Sequence, residues 1–165
     1  MIELKEFNHN HFNKLISWID NEKTLIQFAG PIFTYPLTTE QLSDYVKEKN
    51  RISFAIYYSG QLIGHSEIYK NVDKTVKFCR ILIGDVSFRG NGLGKEVVKQ
   101  MINYTFNKFE INSIELNVYD WNLSAISCYE KVGFVINRTK SKTTNYKNEI
   151  WTSINMTLTK ANITG

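Results

Sequence analysis

Arg89-Gly90-Asn91-Gly92-Leu93-Gly94-Lys95 is the stretch of sequence that decides the fold of this chain. It follows residues 76–83, which are rich in β-forming side chains, and it opens a run with helical periodicity. The stripe that defines this helix consists of Leu93, Val97, Met101, Thr105 and Phe109. Glycines let a ligand approach the backbone, and a helix N-terminus offers unpaired N–H groups to an anion. The stretch therefore predicts a phosphate site between a strand and a helix, with a ligand-free tight turn as the alternative.

Two common phosphate-binding patterns do not fit this stretch. A dinucleotide fingerprint, G-x-G-x-x-G, that began at Gly90 would need a third glycine where Lys95 stands, and one that began at Gly92 would need it at Val97. A P-loop would need Ser or Thr after the Gly-Lys pair, but Glu96 follows Lys95. The spacing therefore argues against NAD and ATP as ligands.

The pattern that fits is Q/R-x-x-G-x-G/A, formed by Arg89, Gly92 and Gly94, and it resembles motif A of the GNAT superfamily of N-acetyltransferases. A second segment, residues 122–134, has the sequence NLSAISCYEKVGF and resembles motif B of the same superfamily. One predicted helix and one predicted strand separate the two segments, as the family arrangement requires. The resemblance covers residues 78–138 closely and the rest of the chain through the order of its elements.

The hydrophobic pattern and this resemblance together imply an α/β fold in a single domain over residues 1–165. The sheet is expected to be single, mixed and mostly antiparallel, flanked by helices and splayed at the cofactor site. Predicted strands cover residues 2–7, 53–58, 62–69, 76–83, 114–119, 134–138 and 149–158. Predicted helices cover about residues 10–21, 39–50, 92–108 and 123–132, and an aromatic loop is predicted over residues 27–37.

The resemblance implies an enzyme that transfers an acetyl group from acetyl-CoA to a primary amine by direct attack, without a metal ion. The acceptor would be a small molecule or the N-terminus of a peptide or protein. Residues 83–85, Ile-Gly-Asp, are similar to the branch of ribosomal-protein and polyamine acetyltransferases. The resemblance assigns CoA binding to Leu82, Ile83, Gly84, Arg89, Gly90, Asn91, Gly92, Leu93, Gly94, Lys95, Asn122 and Tyr129. Two of these also have plain structural interpretations, since Gly84 ends a strand and Asn122 is suited to cap a helix.

Tyr129 is the main catalytic candidate, because in the family pattern the tyrosine of Tyr-Glu-Lys reaches the CoA sulfur and protonates the departing thiolate. An amphipathic tyrosine of the core is the alternative. Cys128 lies about 100° away around the helix, so it is expected in the core, and a covalent acetyl-cysteine route is the lesser alternative. A non-catalytic CoA-binding module is the rival interpretation, and the presence of Tyr129 favours the enzyme.

The general base is harder to assign. Residues 76–83 lack the carboxylate that many family members carry on this strand, so the chain departs from the family pattern there. Glu67 on the preceding strand is the leading substitute, and it is expected to face the gap near Gly84 and to act directly or through water. Asp85 and His65 follow as candidates, and a water chain is a further alternative. His65 and Glu67 share one face of their strand, so a solvent-facing pair is also compatible with the pattern.

The composition is that of a globular protein, with 42% hydrophobic and 22% charged residues. No run approaches the ~18 apolar residues of a membrane span, and the first residues lack the pattern of a signal peptide, so a cytoplasmic protein is expected. Cys79 and Cys128 form no CxxC motif, so neither a disulfide framework nor a metal site is expected. The net charge of +4 favours anionic ligands, but the basic residues are scattered, which argues against direct nucleic-acid binding.

Aromatic side chains are candidates for the wall of the acceptor pocket, because the family layout places the first helix–loop–helix region there. They are Trp18, Phe28, Phe33, Tyr35 and Trp151. The alternative for each of them is burial in the core. The sequence determines neither the acceptor nor the oligomeric state, and a homodimer is kept as one alternative.

Overall fold

The computed structural model describes residues 1–163, and its centre is one seven-stranded sheet. The strands are β1 (Ile2–Glu6), β2 (Arg51–Tyr58), β3 (Gln61–Lys70), β4 (Thr75–Ile83), β5 (Ser113–Tyr119), β6 (Val135–Tyr146) and β7 (Glu149–Thr159). Their order in the sheet is β1-β2-β3-β4-β5-β7-β6. Neighbouring strands are antiparallel except β4 and β5, which are parallel. The sheet is thus mixed and mostly antiparallel, as predicted.

Two groups of α-helices cover the two faces of the sheet. The helices are α1 (Phe12–Trp18), α2 (Glu22–Ala29), α3 (Thr39–Tyr45), α4 (Leu93–Lys108) and α5 (Leu123–Glu130). Alternate residues of β2 separate the faces, since Phe54 and Ile56 join the core beneath α4, whereas Ala55 joins the core beneath α1–α3. Ile126 and Tyr129 place α5 on the α4 side. The predicted α/β fold is confirmed, and within residues 1–163 no helix has the length and apolar character needed to cross a membrane.

The region before β2 contains one more helix than predicted. The sequence indicated a helix to residue 21 and a loop from residue 27, but α1 ends at Trp18 and α2 occupies the interval. Asn21 starts α2, because its side-chain oxygen accepts a hydrogen bond from the Thr24 N–H at 2.8 Å. Leu25 and Phe28 of α2 are buried, so tertiary packing stabilises this short helix.

Two further boundaries differ from the prediction. β6 continues to Tyr146 instead of ending at residue 138, and most of its residues are exposed, so it lacks the hydrophobic alternation by which a strand is recognised. A shift in register between Asn137 and Lys142 interrupts its pairing with β7. α3 ends at Tyr45, about one turn earlier than predicted.

The sheet opens between β4 and β5. These strands form only four residue pairs, from Thr75 with Ser113 to Phe78 with Leu116. Beyond these pairs the two strands separate, and the opening between them is the β4–β5 gap. The predicted splaying of the sheet is therefore present, and it leaves one edge of the second half of β4 without a partner strand.

A β-bulge lies on the other edge of β4, opposite the gap. His65 pairs with residue 82 and Glu67 pairs with residue 79, so two residues of β4, Arg80 and Ile81, lie opposite the single residue Ser66. Arg80 has a φ of 50°, in the left-handed region that non-glycine residues rarely adopt. The bulge bends β4 at the point where it leaves β5.

Candidate active site

The loop after β4 ends in two glycines with left-handed backbone angles, Gly90 (φ 80°) and Gly92 (φ 75°). Among residues 1–163 no side chain caps α4 at Gly92, and the first backbone bond of the helix runs from the Glu96 N–H to the Gly92 carbonyl. The N–H groups of residues 93–95 therefore have no partner within the helix. Their partial positive charge suits an anion.

The start of α4 lies beside α5, at the open end of the β4–β5 gap. A Cβ at Gly94 would lie 3.8 Å from the Sγ of Cys128 in α5, and α5 itself follows β5. A Cβ at Gly92 would meet no atom within 4 Å, so open space lies over the loop. A ligand in the gap therefore has room to place an anionic group on the N–H groups of residues 93–95.

Arg89 turns its side chain back toward β4. Its Nε donates to the Ile83 carbonyl at 2.8 Å, and its Nη2 donates to the Gly84 carbonyl at 3.3 Å. The guanidinium thus satisfies carbonyl groups at the end of the strand and holds the glycine loop against it. The motif placed Arg89 at the cofactor site but gave no indication of this contact.

The predicted role of the Gly84 N–H in binding the acyl arm needs a correction. This N–H donates to the Ile63 carbonyl at 2.9 Å, so it is not available to a ligand. The missing side chain makes room for Trp18, because a Cβ at Gly84 would overlap the indole ring. Because N–H groups alternate between the edges of a strand, the N–H of Ile83 points to the β4–β5 gap, and its binding of the acyl arm stays a prediction. Leu82 packs its side chain against the α1–α3 core.

Tyr129 is partly buried and packs against the core on the α4 side of the sheet, where its ring centroid is 6.0 Å from that of Phe134. Burial raises the pKa of the Tyr129 hydroxyl, and charge on the neighbouring Cys128 and Cys79 thiols would act in the same direction. The hydroxyl therefore stays protonated at neutral pH. A tyrosine in this state can donate a hydrogen bond to a developing anion.

Two other residues of the motif B segment have structural roles. Asn122 caps α5, because its side-chain oxygen accepts a hydrogen bond from the Ala125 N–H at 3.4 Å. Burial raises the pKa of the Cys128 thiol, which keeps it in the protonated, less nucleophilic form. This environment disfavours an acetyl-cysteine route.

Glu67 is fully buried on the α1–α3 face of the sheet. Arg51 Nη1 donates to its Oε1 at 2.7 Å, and Arg80 Nη1 donates to Oε1 and Oε2 at 2.9 and 3.0 Å. The Tyr45 hydroxyl donates to Oε2 as well. Both carboxylate oxygens are thus engaged by buried donors, and Glu67 is the centre of an ion-pair network instead of an open acceptor of protons.

His65 and Asp85, the other predicted bases, are also engaged. His65 is fully buried, and its Nδ1–H donates to the Arg80 carbonyl at 2.9 Å. Burial lowers the pKa of His65 to about 3, and the positive charges of Arg80 and Arg51 add to this. Asp85 accepts hydrogen bonds from the Ser87 hydroxyl at 2.7 Å and the Ser87 N–H at 3.1 Å, and these bonds lower the pKa of Asp85. The pKa values of His65 and Asp85 are thus moved away from neutrality, and the oxygens of Glu67 are already engaged by buried donors, so none of the three is a free general base.

The same network fixes the β-bulge of β4. Arg80 is held at its carbonyl by His65 and at its guanidinium by Glu67, so two side chains of β3 determine its left-handed backbone. The sequence did not indicate this arrangement, because it depends on which residues of β2, β3 and β4 face one another. Periodicity placed His65 and Glu67 on one face, but it did not reveal Arg51 and Arg80 as their partners.

Replacement of His65 by asparagine is expected to make the fold less sensitive to acid. The folded imidazole has a pKa of about 3, against 6.5 for an ordinary histidine, so below pH 6.5 the unfolded state binds a proton that the native state excludes. Stability therefore falls as the pH falls, by up to about 1.4 kcal/mol per pH unit. Thermal unfolding from about pH 7 to about pH 5 should show a smaller loss of Tm in His65→Asn.

Asparagine retains a side-chain N–H that can reach the Arg80 carbonyl, so the variant removes the titration more than the contact. His9→Asn is the matched control, because His9 is exposed and makes no contact with this network. Equal dependence of Tm on pH in the wild type and in His65→Asn would contradict the prediction.

The aromatic residues predicted for the acceptor wall occupy different places. Phe28 is buried in the α1–α3 core, and Phe33 packs against that core. Trp18 covers the end of β4, and the Tyr35 hydroxyl donates to a main-chain carbonyl between α1 and α2 at 3.0 Å. Trp151 lies apart from these, buried near the start of β7.

A polar groove separates the α1–α2 segment from the end of β4. Its lining includes Lys14, Trp18, Asp20, Thr24, Gly84 and Arg89. Since Gly84 and Arg89 belong to the predicted CoA site, the groove adjoins that site from the α1–α3 side. It is a candidate entrance for an acceptor.

The sheet with its β4–β5 gap, the glycine loop and the helix beyond it define a class of protein. Residues 14–134, which include β4, β5, the gap between them, the glycine loop and α4, match the sequence model of the acetyltransferase (GNAT) family. The chain therefore belongs to the acetyltransferase (GNAT) family. The interpretation of both motifs is confirmed at this level.

Similar proteins include two groups of small-molecule acetyltransferases. Aminoglycoside N(6')-acetyltransferase type 1 of Klebsiella pneumoniae is 23% identical over 148 residues, with coverage of 81% of this chain and 73% of the relative. The spermine/spermidine N(1)-acetyltransferase of Bacillus subtilis is 28% identical over 88 residues, with coverage of 50% of this chain and 58% of the relative. The sequence relationship is thus distant but extends over most of the chain in the first case.

Solved structures give the same picture for the fold. AAC(6')-Ib in complex with paromomycin and acetyl-CoA has a TM-score of 0.75 at 19% identity, covering 97% of this chain and 94% of that one. Mutant forms of the spermidine/spermine N-acetyltransferase SpeG of Vibrio cholerae have a TM-score of 0.76 at 16% identity, covering 98% and 96%. At these identities the likeness establishes the fold.

Proposed function

We propose that the protein transfers the acetyl group of acetyl-CoA to a primary amine of a small, positively charged molecule. The observation that carries this proposal is the β4–β5 gap, which opens beside the unpaired N–H groups of residues 93–95. An opened sheet offers free main-chain groups to an extended ligand, and a helix N-terminus offers a positive end to its phosphates. Relatives named for aminoglycosides and for spermine support a small amine as the acceptor.

The residues present fit acetyl-CoA, which supplies the acetyl group as an activated thioester when bound. The N–H groups of residues 93–95 and the open space over Gly92 suit the pyrophosphate. The Ile83 N–H and the unpaired edge of β4 suit the pantetheine arm and the acetyl oxygen. Arg89 keeps the loop in place, and Asn122 keeps α5 in place as its N-cap.

Tyr129 is proposed to donate a hydrogen bond to the departing thiolate. A thiol has an ordinary pKa of about 8.5 and a tyrosine one of about 10, and burial raises the pKa of Tyr129 further. Complete transfer of the tyrosine proton to the thiolate is therefore uphill. A protonated phenol in a desolvated site is nevertheless a strong donor to an anion, so Tyr129 stabilises the leaving group while it keeps its proton.

The amine must lose a proton, and we infer that this proton leaves through water. An alkylamine with a pKa of about 10.4 requires about 4–5 kcal/mol to become neutral at pH 7. Glu67 as the base stays a hypothesis, but its bonds to Arg51, Arg80 and Tyr45 support another role. In that role Glu67 is a positioning residue that holds the β-bulge of β4 through Arg80.

A screen of amines with acetyl-CoA and detection of the free thiol tests the proposed function. Spermidine and kanamycin represent small polycations, and a peptide with a free N-terminus represents the other class of acceptor. We expect thiol release with at least one polycation at a rate well above that with the peptide. Binding of acetyl-CoA without thiol release for any amine would instead indicate a non-catalytic CoA-binding module.

Replacement of Gly92 by valine is expected to weaken acetyl-CoA binding at least tenfold, or by about 1.4 kcal/mol. The valine side chain would fill the space over the loop, which is open within 4 Å of the Cβ position. Isothermal calorimetry with acetyl-CoA measures the change. Unchanged affinity in a folded Gly92→Val protein would remove the loop from the CoA site.

Gly60→Val is the matched control for this variant. Gly60 has a φ of 81°, close to the 75° of Gly92, and a Cβ there would also meet no atom within 4 Å. It lies in the turn between β2 and β3. Both variants therefore carry the same backbone strain, and only Gly92→Val is expected to change the affinity.

A further inference from the structure

Four aromatic side chains converge where β5 ends and the β6–β7 hairpin turns. Their rings lie 4.6 Å apart for Tyr146 and Trp151, 5.0 Å for Tyr119 and Trp151, and 5.3 Å for Trp121 and Trp151. Tyr119 and Trp121 stack at 5.8 Å with an interplanar angle of 3°. These four residues, Tyr119, Trp121, Tyr146 and Trp151, form the aromatic cluster.

The aromatic cluster already holds an ammonium group. The Nζ of Lys23 in α2 lies 5.3 Å from the ring centroid of Trp121 and 5.4 Å from that of Trp151. Both distances are within the range of a cation–π interaction, about 6 Å. Lys23 is an exposed side chain on a flexible stem, so another cation can replace it.

The rim of the aromatic cluster is acidic. Glu149 accepts a hydrogen bond from the Trp151 Nε1 at 2.9 Å, and Glu22 accepts one from the Tyr146 hydroxyl at 3.0 Å. Asp120 lies between Tyr119 and Trp121 along the chain. Two lysines also lie here: Lys23, and Lys147, which pairs with Glu22 at 3.2 Å and lies over the Tyr146 ring. The three carboxylates exceed the two lysines by one charge, and by two once Lys23 is displaced, so the rim favours a cation in the place of Lys23.

The aromatic cluster lies on the acceptor side of the sheet. Tyr119 alternates with Val118, which belongs to the core beneath α4, so Tyr119 projects to the opposite face, toward α2. Tyr129, at the proposed thiol position, belongs to the α4 side. Since β5 forms one wall of the β4–β5 gap and ends at Tyr119, the cluster stands at the end of that wall, on the face opposite Tyr129.

A purely structural role does not account for the exposure of the cluster. Trp151 is 2% exposed and fills the base, as a core residue does, but Trp121 is 38% exposed. Its ring stacks on Tyr119, and the Lys23 ammonium lies over the ring. A partly exposed aromatic ring that an ammonium group can approach is the arrangement by which proteins bind ammonium ligands.

We propose that the aromatic cluster binds a second ammonium group of a polycationic acceptor, and that Lys23 occupies this subsite when the acceptor is absent. The proposal rests on the proposed function, because it names the class of acceptor: a molecule with at least two amines. One amine is acetylated at the β4–β5 gap, and another sits on Trp121 and Trp151 in place of Lys23. Lys23 is thus an internal competitor for the acceptor.

Steady-state kinetics with spermidine and with butylamine tests the proposal. Lys23→Ala removes the competitor and is expected to lower the KM for spermidine about threefold or more, with little change in kcat. Trp121→Leu keeps an apolar side chain but loses the aromatic face, and is expected to raise that KM by a similar factor. Neither change should affect the KM for butylamine, which has one ammonium group.

Lys108→Ala is the matched control, because Lys108 also places its ammonium over a ring, that of Tyr104 at 5.4 Å, at the far end of α4. It should leave the KM for spermidine unchanged. A value of KM for spermidine that is the same in the wild type, Lys23→Ala and Trp121→Leu would overturn the subsite while leaving the acetyltransferase intact.

Tryptophan fluorescence without acetyl-CoA separates the subsite from the activity. Spermidine is expected to change the tryptophan emission of the wild type. The same change should need a lower spermidine concentration in Lys23→Ala and a higher one in Trp121→Leu. If this order is seen but no amine is acetylated, the proposed function fails and the subsite stands. If spermidine produces no change in emission in any of the proteins, the subsite is overturned.

Discussion

Replacement of Tyr129 by phenylalanine is expected to lower kcat by about 10²-fold or more, the range for loss of one hydrogen-bond donor to a developing anion. The change removes one oxygen atom and keeps the ring that packs against Phe134. The hydroxyl should matter when charge develops on the sulfur and little when the thioester binds, so acetyl-CoA affinity should stay within about twofold. Stopped-flow turnover and calorimetry measure the two quantities separately.

Tyr104→Phe is the control for this prediction. Tyr104 packs against the same α4-side core, but toward the C-terminus of α4 and next to Phe54. Its loss of a hydroxyl should leave kcat unchanged. Full turnover in Tyr129→Phe would show that the thiolate leaves without help from this residue.

Replacement of Glu67 by glutamine is expected to lower the free energy of unfolding by about 3–5 kcal/mol, because it removes the carboxylate that pairs with Arg80 and leaves Arg51 with Glu48 alone. The side chains of Arg51 and Arg80 are only 10% exposed, and that of Glu67 is not exposed at all. Since Arg80 forms the bulge of β4, acetyl-CoA affinity should fall as well. Urea denaturation gives the stability, and calorimetry gives the affinity.

The same variant distinguishes a positioning role from a role as base. If Glu67 is the base, Glu67→Gln should keep its stability but alter the ascending limb of the pH profile of kcat/KM. If Glu67 is a positioning residue, the variant should lose stability and acetyl-CoA affinity while the ascending limb stays unchanged. Glu3→Gln is the control, because Glu3 forms an exposed ion pair with Lys5 and should cost less than about 1 kcal/mol. Should Glu67→Gln not fold, Arg80→Lys keeps the charge, loses the two-oxygen contact and should still weaken acetyl-CoA binding.

Local spacing made the family and the cofactor loop predictable. The positions of Arg89, Gly92 and Gly94 and the segment at residues 122–134 depend on a few neighbours along the chain, and these neighbours remain close in the fold. Alternation also placed Glu67 and His65 correctly on one face of β3. Spacing within one element was therefore a reliable guide.

Contacts between distant segments were not predictable in the same way. Trp18, which covers Gly84, comes from α1, and the local pattern of neither segment indicated that the two would meet. The surroundings of Glu67 depend on the register of β3 with β4, which includes a bulge. The aromatic cluster takes residues from β5, β6 and β7 and from the segment after β5, which are distant along the chain. Of these residues only Trp151 was named as a candidate, and the reason was the family layout.

The four residue pairs between β4 and β5 have a mechanical consequence. They are the narrowest lateral connection in the sheet, with β1–β4 on one side and β5–β7 on the other. Antiparallel ladders make each side stiff, so relative motion within the sheet concentrates at this seam and at the helix α4 that crosses over it. A molecule that lies along the gap bonds to both sides and acts as a brace, and its binding therefore also stiffens the sheet as a whole.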